Sequence, residues 1–345
     1  MSRVQNINNI RFSSPITQSK ISYEKKPLLN YQYNLSKDTV SFQGKKIEKE
    51  DKEIFSCKDN LALAEKVSRE SEVELGETIS KKFQNGETYV RLKDDVDDKS
   101  VFVLNSGNDP VNDNLMEFRQ MVDAAKRSGA EKITAILPYL PYSRQDRLSE
   151  NGESVAAKMV ADDIENAGVD KVITFDLHSP QIQGFFDIPL KNLSAGPVFA
   201  QYFKQKGDMS EFMVVSPDVG GVKRAENLSK MLGTETAIIH KKRAEHNKAQ
   251  AVAIIGDVKG KNCILIDDMI DTAGTITEAV KMLKVNGAKD VYICATHGIF
   301  SGNAYENIKN CPVKEVVVTD TLPLPENAPK TIKQLSIANL IAEEI

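Results

Sequence analysis

Residues 264–276 read ILIDDMIDTAGTI: an apolar run, four residues long with Cys263, reaches the adjacent carboxylates Asp267 and Asp268, and three residues on comes a turn of Asp271, Thr272, Ala273, Gly274 and Thr275. Acids at the end of a strand emerge into a crevice, where one can be held without a cationic partner, and they suit sugar hydroxyls or a metal ion. The turn adds two hydroxyls, a glycine that lets backbone come close, and the exposed N–H groups and dipole of the helix that follows. That cradle fits a phosphate monoester. A diol-binding pair beside a phosphate cradle describes a site for ribose 5-phosphate. The competing description is a capped helix whose preceding acids are merely solvated. The acid pair alone leaves both descriptions open, whereas the whole run favours the site.

Such a run needs a sheet to end on. From about Ile54 onward, apolar bursts of four to six residues alternate with amphipathic stretches of ten to fifteen, the signature of parallel sheets covered by helices. Strands are expected at VFVLN from Val101, ITAILP from Ile133, VITFD from Val172, FMVVS from Phe212, ILID from Ile264, VYICAT from Val291 and VVVT from Val316. Helices are expected at 113–128, 196–206, 221–232, 275–286 and 331–344. Two segments, starting at Val101 and Cys263, share one order of parts: strand, polar loop, helix, Gly-Ala-charged turn, strand. Such duplication places two similar ligand loops at the carboxyl ends of two sheets, where open α/β sheets bind ligands. Two facing half-sites suggest two substrates.

The length of 345 residues sets a prior of about two domains. The divisions expected are a disordered tail over 1–50, rich in Asn, Ser, Gln and Lys, an α/β domain over 51–195 and a second over 196–330. A C-terminal helix over 331–345 is expected to pack back on the first domain. A net charge of −4 leaves no basic footprint for nucleic acid. No apolar run approaches the roughly 20 residues of a membrane helix, and no secretory signal opens the chain. The reading is therefore a cytoplasmic protein with neither membrane nor nucleic-acid partner. Cys57, Cys263, Cys294 and Cys311 show no CxxC spacing and read as reduced, buried thiols.

Further polar runs have an order that no fold constraint demands: FQNGETYV at 83–90, PYSRQDR at 141–147, DLHSPQIQGFFDIP at 176–189, VVSPDVGGVKRA at 214–225 and IIHKKRAEHN at 238–247. With ILIDDMIDTAGTI they make the chain resemble the ribose-phosphate diphosphokinase family over roughly residues 54–344. The resemblance implies two phosphoribosyltransferase-like α/β domains, each a mainly parallel sheet flanked by helices, in a homo-oligomer. It also implies transfer of the β,γ-diphosphoryl group of ATP, as its magnesium complex, to the C1 hydroxyl of ribose 5-phosphate.

By the same resemblance, His178 and Asp218 take Mg2+, although imidazole is an unusual magnesium ligand. Phe83, Asn85, Gly86 and Glu87, with Arg144, Gln145 and Asp146, hold ATP. Asp267, Asp268, Asp271, Thr272, Ala273, Gly274 and Thr275, with Arg243, hold ribose 5-phosphate. Lys241 and Arg243 match the family's catalytic cations, in keeping with a transition state that spreads negative charge.

Four departures from the family pattern stand out. LSENGES at 148–154 replaces a basic run, which bears on ATP affinity or loop closure. Lys191 stands where an acid usually completes the 176–189 motif, and nothing in the sequence explains it. Ile345 comes before the tail that many relatives carry. Asp95 and Asp97 align with a Ser and an Arg of the regulatory phosphate and ADP site, unless a register slip brings in Arg91 or Lys93. An ordinary phosphoribosyltransferase would leave the first half unexplained, and a non-catalytic paralogue would be expected to have lost the phosphate loop or the cation pair.

Overall fold

A computed structural model describes residues 51–241 and 252–345. The tail expected over 1–50, the side chain of Lys241 and all of Arg243 lie outside the described residues.

The first half forms β1 (Lys52–Ser56), α1 (Leu61–Ser71), a hairpin of β2 (Thr78–Lys82) and β3 (Thr88–Leu92), β4 (Ser100–Leu104), α2 (Val111–Arg127), β5 (Lys132–Leu137), α3 (Ala156–Ala167), β6 (Lys171–Phe175) and β7 (Leu190–Leu193). Five of these strands make a sheet in the order β1-β4-β5-β6-β7, every pairing parallel. The hairpin is separate and antiparallel. All five positions of β4 are buried, as an apolar run covered on both faces requires.

The second half forms α4 (Gly196–Lys204), β8 (Phe212–Ser216), α5 (Val222–Leu232), β9 (Glu235–Lys241), β10 (Val252–Ile255), β11 (Asn262–Ile270), α6 (Gly274–Val285), β12 (Val291–Gly298), α7 (Ala304–Lys309), β13 (Glu315–Thr319), β14 (Ile332–Leu335) and α8 (Ala338–Ala342). Its sheet runs β10-β9-β8-β11-β12-β13-β14, parallel except for β9 with β10. Helices α2 and α3 cover one face of the first sheet, and α6 and α7 one face of the second. Between the sheets lies a shared apolar layer, where Ile54, Leu63 and Val67 join Phe199, Phe203, Val214 and Ile341.

Two expectations are corrected. ILID is too short, because the strand runs on through both acids to Ile270, drawn out by β12, which pairs Asp267 with Ala295 and Ile270 with Gly298. The helix expected over 331–344 divides into β14 and the short α8. Apolar residues at 332, 335, 338 and 341 fit a helix, but the open edge of β13 takes 332–335 as a parallel strand. The N–H of Ile337 then donates to buried Asp320 Oδ1 at 2.9 Å, starting the helix afresh.

The end of the chain folds against its first described elements. Ile337, Ala338 and Ile341 share a cluster with Leu63, Ala64 and Val67. Lys66 Nζ lies 2.8 Å from Asp320 Oδ2. Lys191, the unexplained departure, lies 3.2 Å from Glu344 Oε1, and Lys171 lies 3.6 Å from Glu344 Oε2. A lysine at 191 thus meets an acid of the C-terminal segment.

Candidate active site

The carboxyl ends of β5, β6, β8 and β11 open on one cavity of about 720 Å³. The loop after β5 brings Arg144 and Asp146, the loop after β6 brings His178, the turn after β8 brings Asp218, and β11 with its turn brings Asp267 to Thr275. Residues as far apart in sequence as Arg144 and Thr275 thus meet because parallel strands deliver their ends to one edge.

Asp268 is the buried centre, 5% exposed. Its Oδ2 is 2.7 Å from His178 Nδ1, and its Oδ1 is 3.4 Å from Arg224 Nη2. Arg224 Nη1 also donates to Asp267 Oδ1 at 3.0 Å. Burial pushes Asp267 up to about 7. Burial would raise Asp268 as well, but hydrogen bonding from His178 and the charge of Arg224 outweigh it and hold that carboxyl well below the ordinary range. In turn, the Asp268 hydrogen bond raises His178. With Nδ1 spent on a carboxylate, Nε2 is the ring nitrogen left for a cation, the arrangement common behind metal-binding imidazoles.

In the turn between β11 and α6, the left-handed residue is Ala273 (φ 61), not the glycine after it. Ala273 precedes α6 without a side-chain cap, so the first-turn N–H groups of a 12-residue helix stay available beside the exposed Thr272 and Thr275. Asn307 Nδ2 donates to Thr272 O at 2.9 Å and Thr277 Oγ1 to Ala273 O at 2.8 Å, fixing the turn from outside. Asp218 Oδ1 accepts from Gly221 N–H at 2.9 Å, as a cap would, while lining the cavity. A Cβ on Gly221 would come within 2.8 Å of Ser216 Oγ, so a side chain there would displace the hydroxyl that donates to Asp218 O.

Across the cavity, Asp146 Oδ2 accepts from Ser179 Oγ at 2.5 Å and from Gln181 Nε2 at 2.7 Å. Gln145 faces a neighbouring cavity of about 620 Å³ instead. The hairpin tip, Phe83 to Glu87, is exposed and lines neither cavity. Sequence reasoning missed Arg224, Arg147, Ser179 and Gln181, which also line the main cavity. Their signal was present, since Arg224 stands three residues after the Gly-Gly turn and Ser179 follows His178.

Among the described residues no group of three or more His, Cys, Asp or Glu is set to hold a metal ion. A lone imidazole at His178 and a lone carboxylate at Asp218 would each fit an ion that arrives with phosphate and water ligands of its own, which is magnesium's habit.

Fold and loop together define an α/β protein of the phosphoribosyl-binding class. Residues 52–168 match the N-terminal domain of ribose phosphate pyrophosphokinase, and residues 243–345 match the phosphoribosyl synthetase-associated domain. The chain is 46% identical over 294 residues to a ribose-phosphate pyrophosphokinase of Fusobacterium nucleatum, covering 85% of this chain and 93% of that one. It is 48% identical over 297 residues to ribose-phosphate pyrophosphokinase 1 of Lactococcus lactis, covering 85% and 91%. The crystal structure of phosphoribosylpyrophosphate synthetase from Mycobacterium smegmatis superposes with a TM-score of 0.80 at 42% identity, over 85% of this chain and 97% of that one. The chain belongs to the ribose-phosphate pyrophosphokinase family.

Proposed function

We infer that this chain transfers the diphosphoryl group of ATP to ribose 5-phosphate, giving 5-phosphoribosyl 1-diphosphate and AMP for nucleotide biosynthesis. The observation that carries this is the convergence of the phosphate loop, paired acids, Arg144, Asp146 and His178 on one cavity. Thr272 to Thr275 hold the 5-phosphate against the start of α6, and Asp267 and Asp268 accept from ribose hydroxyls. Arg144 and Asp146 hold ATP, and His178, through Nε2, and Asp218 are the residues that would hold magnesium. When bound, magnesium would supply charge neutralisation across the phosphates. The C1 oxygen bonds to the β-phosphorus, the bond from that phosphorus to the α–β bridging oxygen breaks, and AMP departs with the electron pair. The hydroxyl proton leaves to solvent. Lys241 and Arg243 stabilise the departing charge.

Phe83, Asn85, Gly86 and Glu87 are read as the adenine contacts. An exposed aromatic on a hairpin tip away from its own cavity suits a homo-oligomer in which one copy's tip covers another's cleft; Phe83 is 50% exposed. The working place is read as the cytoplasm. Four free, buried cysteines agree with it, and among the described residues no helix is long and apolar enough to cross a membrane. Incubation with ribose 5-phosphate and MgATP is expected to give AMP and phosphoribosyl diphosphate in equal amounts. ADP as the product would sink the assignment.

Control is expected to differ from relatives that need inorganic phosphate. Asp94, Asp95, Asp97 and Asp98 are all exposed, and Lys93 is spent on Glu77 Oε2 at 2.6 Å. Two carboxylates in place of a hydroxyl and a guanidinium repel a phosphate dianion, with like charges at ~4 Å costing about 4 kcal/mol at an effective dielectric near 20. Activity in a non-phosphate buffer is expected to be full, with ADP acting only by competition with ATP. Steep activation on adding phosphate, or ADP inhibition that saturating ATP cannot relieve, would show the anion site intact.

A further inference from the structure

Asp271 belongs to the phosphate loop yet lines both cavities, as does Arg144 from the loop after β5. Arg144 Nη1 donates to Asp271 Oδ2 at 2.6 Å. The other carboxylate oxygen, Oδ1, accepts from the hydroxyl of Ser301, in the loop between β12 and α7. That loop is itself fixed, because the N–H groups of Ile299 and Phe300 donate to Ile270 O at 2.9 and 3.0 Å. Phe300 has φ 51, a left-handed turn that aims the next residue back at the phosphate loop. Three loops, from β5, β11 and β12, are thereby joined through one carboxylate.

We propose that Ser301 is a positioning residue acting through Asp271 on Arg144, so that ribose 5-phosphate in the phosphate loop tightens the binding of MgATP. The proposal rests on the reading of the site given above. Arg144 is half exposed and, left alone, would lose side-chain freedom on gripping a phosphate. A guanidinium has five N–H donors, so one spent on Asp271 leaves four for ATP. A phosphate at Thr272 to Thr275 fixes the backbone that carries Asp271, and Asp271, pinned on its far side by Ser301, then holds the guanidinium in place. Whichever ligand binds first orders the relay, and the second meets it already ordered. Thermodynamic linkage makes the effect reciprocal, so MgATP tightens ribose 5-phosphate by the same factor. An Asp271 that merely neutralised Arg144 would give coupling indifferent to Ser301.

The test titrates wild type, Ser301→Ala and Ser301→Thr calorimetrically with the magnesium complex of α,β-methylene-ATP, whose bridge cannot break, with and without saturating ribose 5-phosphate. The sugar phosphate is expected to lower the analogue's Kd in wild type by about tenfold, inside the ~5–150-fold range usual for coupled sites. Ser301→Ala is expected to bring that ratio close to one, and Ser301→Thr, which keeps the hydroxyl, to preserve it. Ser301 is exposed, and unchanged thermal unfolding would show that the fold is kept. A wild-type ratio near one, or an Ser301→Ala protein that binds both ligands with the wild-type ratio, overturns the relay and leaves the site reading standing. A wild-type protein that binds neither ligand overturns both.

Discussion

Lys241→Ala and Arg243→Ala are each expected to lower kcat by about a hundredfold or more with smaller changes in KM, since a cation that acts when charge redistributes contributes to the transition state and little to the ground state. Loss of about 3 kcal/mol is the usual scale for one well-placed donor to a developing anion. The backbone gives this prediction a place. β9 pairs in parallel with β8, Ser216 opposite Ile238, so Lys241 ends its strand at the same carboxyl edge as Asp218. Single-turnover AMP release separates the chemical step from binding. Turnover of Lys241→Ala at the wild-type rate would mean that KKRAEHNKAQ is only a solvated face.

The second large effect is expected at Asp268. Replacing it with Ala should lower kcat/KM for ribose 5-phosphate by about a hundredfold, because a charged hydrogen bond to His178, worth roughly 1.5–3 kcal/mol, and the ion pair with Arg224 are both lost. His178 Nδ1 and Arg224 Nη2 would lose their shared partner, at 2.7 and 3.4 Å in the intact site. The imidazole tautomer would no longer be set, so KM for MgATP should rise as well. Asp267→Ala leaves His178 paired and is expected to affect the sugar phosphate alone. A normal kcat/KM in Asp268→Ala would reduce the buried acid to a packing residue.

Much of this arrangement was legible from local patterns. Apolar bursts such as FMVVS and VYICAT placed strand ends within a few residues, because a strand buried on both faces has no polar alternation to confuse it. Asp267 to Thr275, which line the main cavity, were legible as a candidate site because acids, hydroxyls and a turn sit together in one run. What stayed hidden depends on pairings across the fold. Asp268 with His178 spans 90 positions, and Arg144 with Asp271 spans 127. No local period records such a meeting. Asp176 shows the same limit: it reads as part of a motif, yet its Oδ2 accepts from Ala195 N–H at 2.9 Å and from Thr296 Oγ1 at 2.7 Å, tying the two sheets together. The split of 331–344 failed for a related reason, since an unfilled sheet edge outweighed a helical spacing.

The packing of α1 on α8 bears on how the chain is made. Leu63, Ala64 and Val67 leave the ribosome early, but the residues that cover them, Ile337, Ala338 and Ile341, come much later. Lys66 waits for Asp320 across 254 residues, which at ~5–20 residues per second is roughly 13–50 s of translation. Through that interval the face of α1 is an uncovered apolar surface, open to chaperones or to another nascent chain, and the first sheet can be formed long before its last layer closes.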